Sequence, residues 1–226
     1  VKASDFFALP PSLALFAAHF PADAPPWEWV KRIEAALAAH PFPANRADGP
    51  PGVHISGQVH LDASVKLPPY AVIIGPAWIG PGTEIRPGTY IRGNVIVGAN
   101  CVLGNSCEYK NSLLLDGVAT PHYNYVGDSV LGNHAHLGAG VICSNLRLDR
   151  KPILVHGPDK IYPTGMRKLG AILGDRAEVG CNVALNPGAV LGVRSFVAPA
   201  LSFGGYLPPS TIARANQALK QTPRRD

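Results

Sequence analysis

The chain has 226 residues, 46% of them hydrophobic, with a formal charge of +5 and an isoelectric point near 9.1. That length suits one large domain with appendages. No apolar run is long enough to cross a bilayer, and Lys and Arg gather in no dense block before the last few residues. The charge therefore suits small phosphorylated ligands better than nucleic acid. The four cysteines form no CxxC pair, which argues against zinc ribbons and dithiol redox sites and fits a reduced, cytoplasmic setting.

Residues 1–51 read as a helical segment and linker. Ser12, after two prolines, is placed to cap a short helix through Phe20. Residues 12–18 are apolar but too short to span a membrane, and Asp5 and the two prolines before them make a weak signal peptide. Pro25 and Pro26 break the chain. Trp27 to His40 then reads as an amphipathic helix with Val30, Ile33 and Leu37 on one side and Lys31, Arg32 and Glu34 elsewhere. Residues 41–52 are rich in Pro, Gly and Ala. The expected task of the whole segment is to cap an exposed first coil.

From Ile55 an aliphatic residue returns every six positions: Leu61, Leu67, Ile73, Ile79, Ile85, Ile91, Val97, Leu103. Four places after each comes a smaller one, among them Val59, Ala71, Thr83, Cys101 and Cys107, with Gly, Pro, Asn and Asp between. This hexapeptide repeat signifies a parallel β-helix over residues 52–206. The aliphatic side chain fills the coil, and Gly and Asn suit the left-handed backbone of each turn. Three hexapeptides make a triangular coil of about 18 residues, and coils stack at the interstrand spacing of roughly 4.8 Å. A sandwich would give period two and drift out of this register. The repeat breaks between Tyr109 and Asp128, resumes at Leu131 and Leu137, breaks again from about Asn145 to Lys168, and returns at Leu173, Val179, Leu185, Leu191 and Val197. Both breaks, near 109–128 and 145–168, are expected to be protruding loops, where functional residues collect. Residues 207–226 read as a helix from Ser210 to about Lys220 and a frayed tail at Arg224, Arg225 and Asp226.

The first break and the stretch after it carry His122-x-x-Tyr125-x-Gly-Asp128, His134-Ala-His136 and Gly138-Ala139-Gly140. Thr164 to Ile172 reads Thr-Gly-Met-Arg-Lys-Leu-Gly-Ala-Ile. On these motifs, over roughly residues 85–200, the chain resembles the acetyltransferase half of the bifunctional enzyme that acetylates glucosamine 1-phosphate and then uridylylates it. It looks closer still to the C-terminal domains of archaeal-type sugar-1-phosphate nucleotidylyltransferases. The resemblance implies a left-handed coil, against the usual crossover hand, a homotrimer with sites between subunits, and acetyl-CoA as co-substrate. It also implies a place in the synthesis of nucleotide sugars such as UDP-N-acetylglucosamine for the cell envelope. By position it makes His122 the general base, Tyr125 a sugar contact, and Arg92 and Lys110 the pair that grips the acceptor phosphate. Ala139 and Cys181 fall on acetyl-CoA contacts, and Asn145 on the acceptor and thioester pocket. His136 stands where that family has Asn, Leu146 where it has Tyr, and Cys181 where it has Ser. Arg167 and Lys168 lie in the basic second break, which reads equally as a solvated arm or as an arm that reaches the phosphate-rich coenzyme of a neighbouring subunit. No nucleotide-binding Gly-rich signature precedes residue 55.

The chemistry is self-consistent. An amino sugar, an ammonium at neutral pH, must lose a proton before it attacks a thioester, and an imidazole is suited to take it. A backbone N–H of the Gly138–Gly140 turn is placed to hold the oxyanion. Direct attack needs no catalytic cysteine, and Cys181 is read as packing. For Arg92 and Lys110 the alternative is solvated surface charge; for His136 site and structural roles stand equally. Two other functions remain open. One is a non-catalytic module that binds a sugar nucleotide or scaffolds a nucleotidyltransferase. The other is a metal-dependent lyase of the carbonic-anhydrase type drawing on His122, His134 and His136, although no metal site is assigned.

Overall fold

The computed structural model describes residues 1–42, 49–216 and 221–223. From Val53 the chain winds through three parallel sheets that form the faces of a left-handed triangular prism. Sheet 1 holds eight strands, from Val53–Ser56 to Ser202–Phe203; sheet 2 holds eight, from Val59–Leu61 to Tyr206–Leu207; sheet 3 holds seven, from Glu84–Ile85 to Ile212–Ala213. The hexapeptide aliphatics Ile73, Ile79, Ile91, Leu103, Leu131, Leu173 and Leu191 are buried in one continuous core. Ile55, Leu61 and Leu67, in the first coil, are only partly covered.

The first break in the repeat is not a loop. Glu108–Lys110, Ser112–Leu114, Ala119–His122 and Tyr125–Gly127 are regular strands of the coil. The pairing shows why the six-residue count fails. Ile55 lies beside Ile73, three whole hexapeptides along the chain, whereas Leu113 lies beside Val130, one position short of that. A residue is dropped per turn, and Tyr109 takes an aliphatic slot. Its ring is fully buried, and its hydroxyl meets Thr120 Oγ1 at 2.5 Å and accepts the Gly104 N–H at 3.1 Å. Thr120 and Val126 follow in the interior.

The second break is a real excursion between Ile142–Cys143 and Ala171–Leu173. It includes an antiparallel hairpin, Leu154–His156 with Ile161–Pro163. The hairpin folds back onto its own chain, burying Ile153 and Val155 and setting Tyr162 against Trp27 with ring centroids 5.3 Å apart.

Residues 1–42 flank the prism and do not cap its end. A 3-10 helix, Pro11–His19, precedes an α-helix, α1, Pro26–Ala38. Ser12 caps nothing; its hydroxyl donates to Asp116 Oδ1. Helix α1 buries Trp29, Val30, Ile33 and Leu37 against the outer side of sheet 2, where Ile96, Leu113, Val130, Ile172 and Val190 form one cluster with them. The physical reason is local: strands such as Val95–Val97 and Ala189–Leu191 are aliphatic on both sides, so they need cover outside as well as in. Sheets 1 and 3 have mixed outer sides: Arg92, Glu108 and Lys110 stand with exposed Val72, Tyr90 and Ile142 on sheet 1, and His136 and Glu178 with exposed Ile212 on sheet 3. At the other end, Ser210 opens no helix. The repeat runs on to the strand Ile212–Ala213; residues 217–220 and 224–226, including Lys220 and Arg224, lie outside the described residues, as do 43–48.

Candidate functional site

His122, Ala139 and Cys181 stack at the corner between sheets 3 and 1, while Arg92 and Lys110 end their strands at the other edge of sheet 1. His122 ends the strand Ala119–His122 and is exposed. Tyr123, at φ 53°, turns the chain, and Tyr125 begins the next strand on sheet 1. Between them Asn124 is buried: its Oδ1 accepts the His122 N–H at 3.3 Å and its Nδ2 donates to the Gly138 carbonyl at 2.8 Å. One carboxamide thus ties the His122 backbone to the glycine turn of the next coil.

That turn lies beside His122. His136 pairs with Ala119 and Glu178, and three residues further along the same rungs lie His122, Ala139 and Cys181. The Gly140 N–H donates to the His122 carbonyl at 3.1 Å, and the Asn182 N–H to the Ala139 carbonyl at 2.8 Å. With rungs roughly 4.8 Å apart, the column from His122 to Cys181 spans about 10 Å. Within the turn the Gly138 N–H is also engaged, by the Val179 carbonyl at 2.7 Å. The Ala139 N–H has no acceptor among the described residues. A Cβ on Gly138 would stand 2.7 Å from the Cys181 backbone nitrogen, so the rungs approach here as only glycine permits.

Arg92, Lys110 and Tyr125 project from sheet 1. Arg92 and Lys110 sit on adjacent rungs, next to the pairs Tyr90–Glu108 and Ile91–Tyr109. Each cation faces a carboxylate. Arg92 Nη1 is 2.5 Å from Glu108 Oε1, and Lys110 Nζ is 3.6 Å from Asp128 Oδ2. Asp128 is buried and gathers the corner between sheets 1 and 2: Asn111 Nδ2 donates to Oδ1 at 2.7 Å and Asn145 Nδ2 to Oδ2 at 2.5 Å. Asn145 Nδ2 also reaches Tyr125 Oη at 3.1 Å. Burial, with the Asp128 and Glu108 charges, raises the Tyr125 hydroxyl above its ordinary range. It stays protonated at neutral pH and keeps its own proton for a ligand.

Other expected members lie apart. Arg167 and Lys168 are exposed, but the following residues bind at the opposite edge of sheet 1: Leu169 N–H to Asn145 O at 3.0 Å and Gly170 N–H to Asp128 O at 2.8 Å. The excursion rejoins the coil at the corner where it left, which separates this pair from Ala139 and Cys181 within one chain. His136 is exposed on sheet 3, not on the face of Arg92 and Lys110. His134 sits at a third corner, so the three histidines do not converge. Among the described residues no group of three or more His, Cys, Asp or Glu side chains could hold a metal ion. Cys181, expected as packing, is exposed, whereas Cys101, Cys107 and Cys143 are buried. Burial pushes the Cys101 and Cys143 thiols up to about 12.

Sequence reasoning missed Glu108, Asn111, Asn124 and Asp128 as members of this region. Their signal was present in part: Asp128 closes the motif that begins at His122, and Glu108 and Asp128 fall about one coil after Arg92 and Lys110.

The model of the GMPPB C-terminal domain family matches residues 73–201. The chain belongs to the GMPPB C-terminal domain family. This GMPPB C-terminal domain chain is 39% identical over 90 residues to the bifunctional sugar-1-phosphate nucleotidylyltransferase/acetyltransferase of Sulfurisphaera tokodaii, covering 40% of the chain and 22% of that relative. It is 40% identical over 88 residues to the bifunctional protein GlmU of Methanococcus maripaludis, covering 39% of the chain and 21% of the relative. It is also 34% identical over 96 residues to a putative uncharacterized acetyltransferase, YaiX, of Escherichia coli, covering 42% of each. The matched part of the chain thus spans about a fifth of the length of the two bifunctional relatives.

Proposed function

We propose that the chain is an acetyl-CoA-dependent N-acetyltransferase acting on a phosphorylated amino sugar, with glucosamine 1-phosphate the first acceptor to test. The observation that carries the reading is the column His122–Ala139–Cys181, with Tyr125 opening the strand that follows His122. In this reading the acetyl thioester lies along the column. The sugar amine attacks the thioester carbonyl while His122 takes its proton. The oxyanion rests on the Ala139 N–H. Collapse expels the coenzyme thiolate, which regains the proton from His122. Tyr125 donates to the sugar, and its phosphate competes with Glu108 and Asp128 for Arg92 and Lys110. The Sulfurisphaera tokodaii relative is named both as a sugar-1-phosphate nucleotidylyltransferase and as an acetyltransferase, which supports the class of reaction.

His122 is open to solvent, and helix α1 with the hairpin covers sheet 2. Sheets 1 and 3 are left to meet other copies, so a homotrimer with the site at its seams fits the shape. A reducing cytoplasm would keep Cys181 a free thiol.

Thiol release from acetyl-CoA with glucosamine 1-phosphate tests the reading. Wild type should turn over, and His122→Ala should fall by about 10²–10⁴. The pairing of both cations with carboxylates favours a second reading, a non-catalytic module that binds a sugar nucleotide or scaffolds a nucleotidyltransferase. Absence of thiol release by wild type with every amino-sugar phosphate tried would favour that one instead.

A further inference from the structure

Each corner of the prism repeats one left-handed turn position. Between sheets 2 and 3 the early coils fill it with Gly82, Asn100 and Gly117, at φ 69°, 56° and 69°. These are the residues that tolerate such a backbone. Later coils place His134, Arg176 and Arg194 there, at φ 58°, 59° and 55°. The stacking is direct: the N–H groups of His134, Arg176 and Arg194 donate to Asp116, Asn133 and Asp175 carbonyls at 2.7, 2.8 and 2.9 Å. Arginine gains nothing from a left-handed turn, so local backbone preference does not account for it here.

The same three side chains line a cavity of about 440 Å³ together with Glu178, Ser195 and Phe196. Neither Arg176 nor Arg194 takes part in an ion pair among the described residues. Glu178 is the one acid in the lining. Asp175 lies close to His134, but its Oδ1 is occupied by the Asn133 backbone N–H at 2.6 Å and side-chain Nδ2 at 3.0 Å. His134 precedes Ala139 by five residues, so the cavity lies on the order of 15 Å along sheet 3 from the His122 column.

The geometry points to a second anion site here, one that binds the diphosphate of a nucleotide on the Arg176–Arg194 ladder, with the Phe196 ring beside its base. Two guanidiniums on successive rungs present forked donors to neighbouring phosphates, and an aromatic face at the rim suits a planar group. The shared chemistry is a nucleotide diphosphate, which coenzyme A and a free nucleoside diphosphate both carry.

Calorimetric titration of the full chain with inorganic pyrophosphate tests the site. Saturable binding is expected, and Arg176→Asn and Arg194→Asn should each weaken it at least about 10-fold. Asn suits the left-handed turn, so the melting temperature of both variants should hold or rise, which separates lost binding from lost folding. Arg147→Gln, on a different loop, should bind as wild type. So should His122→Ala, which makes the result independent of acetyl transfer. Displacement of pyrophosphate by coenzyme A, or by ADP without coenzyme A, would identify the source, and either supports the site. No saturable binding by wild type, or binding that both Asn variants retain, overturns it.

Discussion

At the scale of single residues, the candidate base is held by a neighbour that does no chemistry. Asn124 joins the His122 N–H to the Gly138 carbonyl, so Asn124→Ala leaves both without that partner. A loss of about 1–3 kcal/mol is expected, read as a lower melting temperature. Steady-state kinetics should show kcat falling more than KM rises, because the amide positions the imidazole and the turn without touching the acceptor. The thiols make a second prediction. Cys101 and Cys143 have pKa values raised from 9.0 to about 12. In the unfolded chain these thiols ionise near 9; in the fold they do not. Their burial therefore costs no stability below pH 9, and stability is lost as pH climbs from 9 towards 12, where the unfolded chain gives up protons that the fold retains. Below that window a thiol reagent should titrate one cysteine, Cys181, in the native protein and all four after denaturation. Rapid native reaction of a second thiol would contradict the burial.

At the scale of elements, the sequence disclosed the repeating slots and hid the substitutions within them. Six-residue spacing was enough to find the coil from Ile55 to Leu103, since each slot holds an aliphatic residue. It failed between Tyr109 and Asp128, where an aromatic and a threonine occupy interior slots and successive coils each fall one position short of three hexapeptides. A hydroxyl bonded inside the core leaves no trace in a hydrophobicity pattern. Helix α1 was legible from its own periodicity. Its berth was not, although doubly aliphatic strands such as Val95–Val97 point to a covered face. The site divides the same way: the resemblance singled out His122, Ala139 and Cys181 and the strand register stacks them on successive rungs, whereas Glu108 and Asp128, which neutralise Arg92 and Lys110, depend on side-chain directions that no spacing records. Trp29 sits wholly buried between α1 and the coil, its ring 4.9 Å from Phe7 and 5.2 Å from Phe20. Trp29→Ala should cost about 3–5 kcal/mol in chemical denaturation. Removing residues 1–42 should bare the aliphatic flank and yield a chain that aggregates in sizing chromatography.

At the scale of the whole molecule, the prism is an uneven one. One face is sealed by the chain itself, one carries the paired charges, and one carries the histidines and the arginine ladder. Most strand pairings join a residue to its counterpart in the next coil, so order along the stack is kept by many near-identical parallel pairings. Such a structure tolerates little change of length within a strand, because one added residue turns every later side chain of that strand inside out.

The excursion from Asn145 escapes that rule. Its return is fastened to its departure by Leu169 on Asn145 and Gly170 on Asp128, and Leu148 near its start is wholly solvent-exposed. Foreign sequence grafted at Leu148 should therefore leave the rungs on either side aligned, which an unchanged melting temperature would verify. The chain carries its own permissive port for a reporter or an affinity handle, at a point where lengthening does not disturb the frame.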